Sequence, residues 1–174
     1  MSKKAKKKNN MIKLCLTLFE VALGIAAVIM LAAPVIGIKN NDASYSGWEV
    51  TFGVNLKASL GGLSVSTPVL NFSFLNLLTY IFALAAAILL LLKILAPKLG
   101  KTINFISCLL FIASGVFFLL TINFTSVGEG FKKIYSFFGT DPKEGLELVI
   151  GSILGAVFTF TGAGLTGVEL LLVK

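Results

Sequence analysis

The chain has 174 residues, of which 56% are hydrophobic and only 13% charged, and its mean hydropathy is +0.94. A soluble domain is about a quarter charged, so this composition excludes a water-solvated fold and leaves a single unit whose core is the bilayer plus helix–helix contact. The net charge of +7 comes from lysine alone, with no arginine and no histidine; the arginine fork suited to phosphate and base recognition is missing, and no nucleic-acid partner is expected.

Residues 1–10 are polar and lysine-rich, and they read as a disordered basic tail. Four apolar stretches follow, at about 11–38, 74–95, 103–122 and 146–173. Each reaches the roughly 20 residues that a helix needs to cross a hydrocarbon core of about 30 Å. The first stretch is longer than the apolar segment of a signal peptide and carries Glu20, so it reads as a retained span. The expected fold is an all-α transmembrane four-helix bundle with a small extracellular β-hairpin in the first outer loop. It forms a single four-span domain over 11–174.

The lysines set the expected orientation. Lys3, Lys4, Lys6, Lys7, Lys8 and Lys13 precede or open the first span, and Lys93, Lys98 and Lys101 bracket the turn 96–102. Lysine excess marks the cytoplasmic side. Both termini and that turn are therefore expected in the cytoplasm, with outer loops at 39–73 and 123–145, in a multi-pass protein of the cell membrane.

Within the first outer loop, Trp48 to Lys57 alternates apolar and polar residues, the period of a half-buried strand. Gly61-Gly62 reads as a turn, and Leu63 to Ser66 resumes the alternation until Pro68. A hairpin is expected, with Trp48, Val50, Phe52, Val54 and Leu56 on one face. A lone hairpin is marginal in water, so that face needs a covering surface. In the second outer loop, Phe131, Ile134, Tyr135 and Phe138 follow the i, i+3, i+4, i+7 spacing of an amphipathic helix. Asp141 and Pro142 are placed to cap and begin the last helix. Trp48, Phe52, Phe131, Tyr135 and Phe138 form the expected contact surface. The competing reading is that these aromatics pack together or sit at headgroup level.

The last span contains Gly151 and Gly155 in a GxxxG, with Gly162 further on; small residues let helix backbones approach closely. Intramolecular packing is the expected use of these three glycines, ahead of a dimer seam.

An ionisable residue inside the membrane is a functional candidate by default. Glu20 lies about 13 Å of helix into the first span. Asn104 and Glu169 enter from the same side, so a polar cluster of Glu20, Asn104 and Glu169 is expected near the inner leaflet. Cys15 and Cys108 lie inside spans and cannot staple a loop. Neither a metal-ligand spacing nor a nucleophile with a base is visible, so no cofactor and no enzymatic activity are expected.

Two resemblances follow from these residues. Cytoplasmic ends, a strand-forming first outer loop, a short inner turn and a glycine-rich fourth span resemble the claudin-type tetraspan proteins. Gly47-Trp48 is similar to part of that family's Gly-Leu-Trp motif, although its loop cysteine pair is absent here. This resemblance implies a structural, adhesion or accessory role toward another membrane or surface protein, or a second copy of the chain, with the lipid bilayer as the other partner. Glu20-Val21 with Gly24, and Gly155 with Gly162, resemble the small multidrug-resistance transporters. That resemblance implies a proton-coupled transporter using Glu20, but a first loop of over 30 residues departs from those proteins. The preferred expectation is an interaction protein, with the transporter as the alternative.

Overall fold

The computed structural model describes residues 3–40, 42–60, 63–137, 139 and 141–172; the side chains of 3–10, 56–60, 63–65, 134 and 172 lie outside the description. Chain order runs α1 (Lys3–Ile29), β1 (Pro34–Ile38), β2 (Ser44–Ser46), α2 (Gly47–Phe52), β3 (Val54–Leu60), β4 (Leu63–Asn71) and α3 (Phe74–Leu95). A single 3₁₀ turn at Pro97–Leu99 leads into α4 (Gly100–Leu119). The short α5 (Thr121–Phe124), β5 (Ser126–Val127), α6 (Glu129–Phe137) and β6 (Leu146–Leu148) precede α7 (Ile150–Leu172).

Among the described residues, four helices are long and apolar enough to cross a membrane: Met11–Ile29 of α1, α3, the stretch Pro97–Leu119 that includes α4, and Ile150–Leu171 of α7. The chain is a multi-pass membrane protein. Between 28% and 39% of the most apolar window of each is buried inside the protein, and Leu18, Ile88, Leu109 and Val157 are among the exposed side chains that a bilayer would cover.

The four helices close into a ring in which α1 packs on α3, α3 on α4, α4 on α7, and α7 back on α1. Small residues make the seams close. Ala27, Ala83, Ala86, Ala87, Ala156 and Ala163 are all buried, and they surround the rings of Phe111 and Phe118. Without a hydrophobic drive between helices in lipid, such close van der Waals contact is what holds a bundle.

The two long connections fold together as a cap on one end of this ring. β1 is the centre of a sheet of order β2-β1-β6, antiparallel on both sides. A second sheet runs β3-β4-β5, with β5 pairing only Leu70 and Asn71 at the base of β4. Val35, Ile36, Val50, Val69, Leu70 and Val127, together with Phe131 and Leu146, form one core drawn from both connections.

Several expectations need correction. The first span does not reach Ile38: α1 stops at Ile29, and Pro34–Ile38 is a strand. Proline lacks the N–H that a helix interior needs, and Val35, Ile36 and Ile38 are β-branched. The last span begins at Ile150 rather than 146, because Leu146–Leu148 pairs with β1. Asp141 does not cap that helix; its Oδ1 accepts the Lys143 N–H at 2.8 Å and holds a turn.

The tail expected to lack order is helical from Lys3, since a helix nucleated in the span adds one hydrogen bond per further residue. Trp48 to Phe52 is helix, not strand. The hairpin occupies 54–60 and 63–71 instead, while the expected turn at Gly61-Gly62 lies outside the described residues. Span two, at 74–95, and the amphipathic helix through Phe131 and Tyr135 stand as expected; Phe138 lies outside the described residues.

Candidate functional site

Each spanning helix carries a buried polar stripe. On α1 it is Thr17 and Glu20; on α3 it is Asn76 and Thr79; on α4 it is Asn104, Ser107 and Ser114; on α7 it is Ser152, Thr159, Thr166 and Glu169. Their spacing of three or seven residues keeps them on the inward face. Most of the hydroxyls are satisfied locally or by the next helix. Thr159 and Thr166 donate to carbonyls one turn back, and Ser114 Oγ donates to the Thr79 carbonyl of α3 at 2.7 Å.

At the end of the ring opposite the cap, these stripes converge on an ion cluster. Lys93, in the last turn of α3, donates to Oε2 of Glu169. Asn104 Nδ2 donates to the same oxygen at 2.7 Å. Glu20 Oε2 stands 4.0 Å from the Lys93 ammonium, beyond hydrogen-bond reach. Glu20 is fully buried, and among the described residues both of its carboxylate oxygens lack a hydrogen-bond partner, as does Asn104 Oδ1. The side chain of Lys93 is 15% exposed, against 0% for Glu20, so the lysine is the member that reaches outward from the cluster.

Glu20, Asn104 and Glu169 are thus brought together as their positions in the sequence imply. Lys93 is the member that sequence reasoning missed, having been assigned to the flank of the turn. The available signal was its position in α3: it lies three residues after buried Leu90 and seven after buried Ala86, on the inward face.

The five expected contact residues divide. Trp48 and Phe52 are exposed, with ring centroids 4.3 Å apart, and Phe72 lies 6.3 Å beyond. Phe131 is buried and stacks on the partly buried Tyr135 at 4.7 Å, so both are cap core rather than contact surface. The exposed pair rides on α2, which a capping box starts: Ser46 Oγ accepts from Glu49 N at 3.3 Å, and Ser46 N donates to Glu49 Oε2 at 2.8 Å. This Ser-x-x-Glu signature was readable in the sequence, and it outranks the alternation of Trp48, Val50 and Phe52. Tyr45, next to this cap, has its phenol pushed above its ordinary range by burial first, then by the Glu49 carboxylate and Tyr135.

Gly151, Gly155 and Gly162 all serve packing within the molecule. Gly151 sits under the carbonyl of Pro34, Gly155 against the ring of Phe118, and Gly162 against that of Phe111. Among the described residues no group of three or more acidic, cysteine or histidine side chains could hold a metal ion. The chain matches no protein-family model, no curated protein and no solved structure.

Proposed function

We propose that this is a tetraspan protein of the cell membrane, with both termini cytoplasmic, that serves a structural, adhesion or accessory role by binding another membrane protein through its outer cap. One observation carries this reading: two connections far apart in sequence share one buried core, and the hairpin β3–β4 is built out from it. A mere linker between spans has no need of a core of its own. Among the described residues the outer edge of β3 has no strand beside it, and such an edge is a ready template for a partner strand. Trp48 and Phe52 supply exposed aromatic surface at the base of the cap, the residue types enriched in contact cores. The lysine asymmetry supports the orientation, with the cap outside.

The test is site-specific photocrosslinking in native membranes. A crosslinker at Lys57 should give a discrete protein adduct, and one at Lys98 should not. Adducts with lipid alone at both positions would overturn the reading. Glu20→Gln separates it from proton-coupled transport: the Lys57 adduct should persist in that variant, whereas coupled flux would be abolished.

A further inference from the structure

The cap reading leaves Glu20 unused, and its surroundings do not balance. Within the cluster stand two carboxylates, Glu20 and Glu169, and one ammonium, Lys93. Fully ionised, the group carries one uncompensated negative charge inside a bundle. Among the described residues, the other buried polar side chains at this end of α1 and α4, Thr17 and Asn104, are neutral, and α3 and α7 contribute Lys93 and Glu169 alone among the described charged residues. Burying a lone carboxylate without hydrogen bonds is far more costly than neutralising it.

The geometry selects which carboxylate is in surplus. Glu169 accepts from both Lys93 and Asn104. Glu20 accepts from neither, and both its oxygens are buried without a hydrogen bond from any described residue. The missing charge must therefore arrive at Glu20. A metal cation of charge one would need several oxygens at short range, yet the position facing both carboxylates is held by the Lys93 ammonium, which repels it. A proton has no such requirement.

We propose that Glu20, Lys93, Glu169 and Asn104 form a binding site for one exchangeable proton, carried on the Glu20 carboxyl while Lys93 pairs with Glu169. Binding is the simple step Glu20–COO⁻ + H⁺ → Glu20–COOH. On release, the ammonium of Lys93 stands between two carboxylates and is shared by them. Lys93 is also the partly exposed member, so it marks the route by which the proton exchanges with water. Lys93 is a positioning residue: by pairing with Glu169 it leaves the proton to Glu20.

The test is infrared difference spectroscopy of the full chain in lipid nanodiscs, stepping the pH. The parent should show a protonated-carboxyl C=O band near neutral pH that disappears on alkalinisation, with the same midpoint in choline, sodium or potassium chloride. Glu20→Gln should abolish that band. Lys93→Gln removes the one cation described in the cluster, so both acids should hold protons and the band should grow about twofold. A parent spectrum without the band overturns the proposal even if no variant folds. So does a band that survives Glu20→Gln, or one displaced by sodium or potassium.

Discussion

Phe118 on α4 lies against the bare backbone of Gly155 on α7: a methyl group at residue 155 would come 2.5, 2.6 and 2.7 Å from three carbons of the ring. The same ring meets Tyr80 of α3 edge-on, with centroids 5.3 Å apart, so it cannot retreat freely. Gly155→Ala should therefore cost about 1–3 kcal/mol, the range for overpacking a filled core. Gly164, on the same helix, has nothing within 4 Å of an added methyl, and Gly164→Ala should be tolerated. Thermal unfolding of both variants in one detergent makes the comparison.

The cap is tied to the bundle through Ser152. Its hydroxyl donates to the Val35 carbonyl at 2.8 Å across 117 residues of sequence, and Ser152 is fully buried. Ser152→Ala should lower stability by about 1 kcal/mol, the net worth of one neutral hydrogen bond. Because β1 is the centre of its sheet, the loss should appear first as faster amide exchange at residues 35–38 of β1, not in the spans. Unchanged exchange there would show that the tie does not hold the cap.

Removing the side chain that starts α2 should expose the aromatic pair it carries. Ser46→Ala deletes one half of the capping box and should cost about 1 kcal/mol. Trp48 is the chain's one tryptophan, so its emission reports on α2 without interference. A change in Trp48 emission at lower denaturant in the variant than in the parent is the expected result.

Tyr45 gives the cap an alkaline limit. Its folded phenol titrates above the ordinary value of 10.0, chiefly through burial. The neutral phenol is the form the fold prefers, so its contribution is fully present below that value and is lost as pH rises through the raised one. Tyr45→Phe should remove the late-ionising component of the phenolate absorbance difference and flatten the fall in cap stability at high pH.

The expected orientation is checked by labelling. In a Cys15→Ser, Cys108→Ser background, Lys57→Cys should react with an impermeant thiol reagent on intact cells. Lys98→Cys should react only after permeabilisation. Reaction of both from outside would overturn the even-span arrangement.

Some of this was legible in the residues themselves. The spans were, because lipid imposes length and apolarity directly on each helix; Phe74–Leu95 begins and ends where its composition changes. The α6 face through Phe131 and Tyr135 was equally plain. Three errors share one cause. Pro34–Ile38 and Leu146–Leu148 are apolar enough to read as span, and Trp48–Phe52 alternates well enough to read as strand, because a short apolar run has no period of its own.

What the sequence by itself determined was the solvent: a chain this apolar, with four runs long enough to span, must fold in lipid. What tertiary structure decided was partnership. β1 is a strand only because β2 and β6 arrive from 44–46 and 146–148 to pair both its edges, and Lys93 belongs to the ion cluster only because α7 brings Glu169 beside it from 76 residues away. Hydropathy is a property of each residue in its solvent, whereas strand pairing and charge balance are properties of pairs whose members the chain keeps far apart.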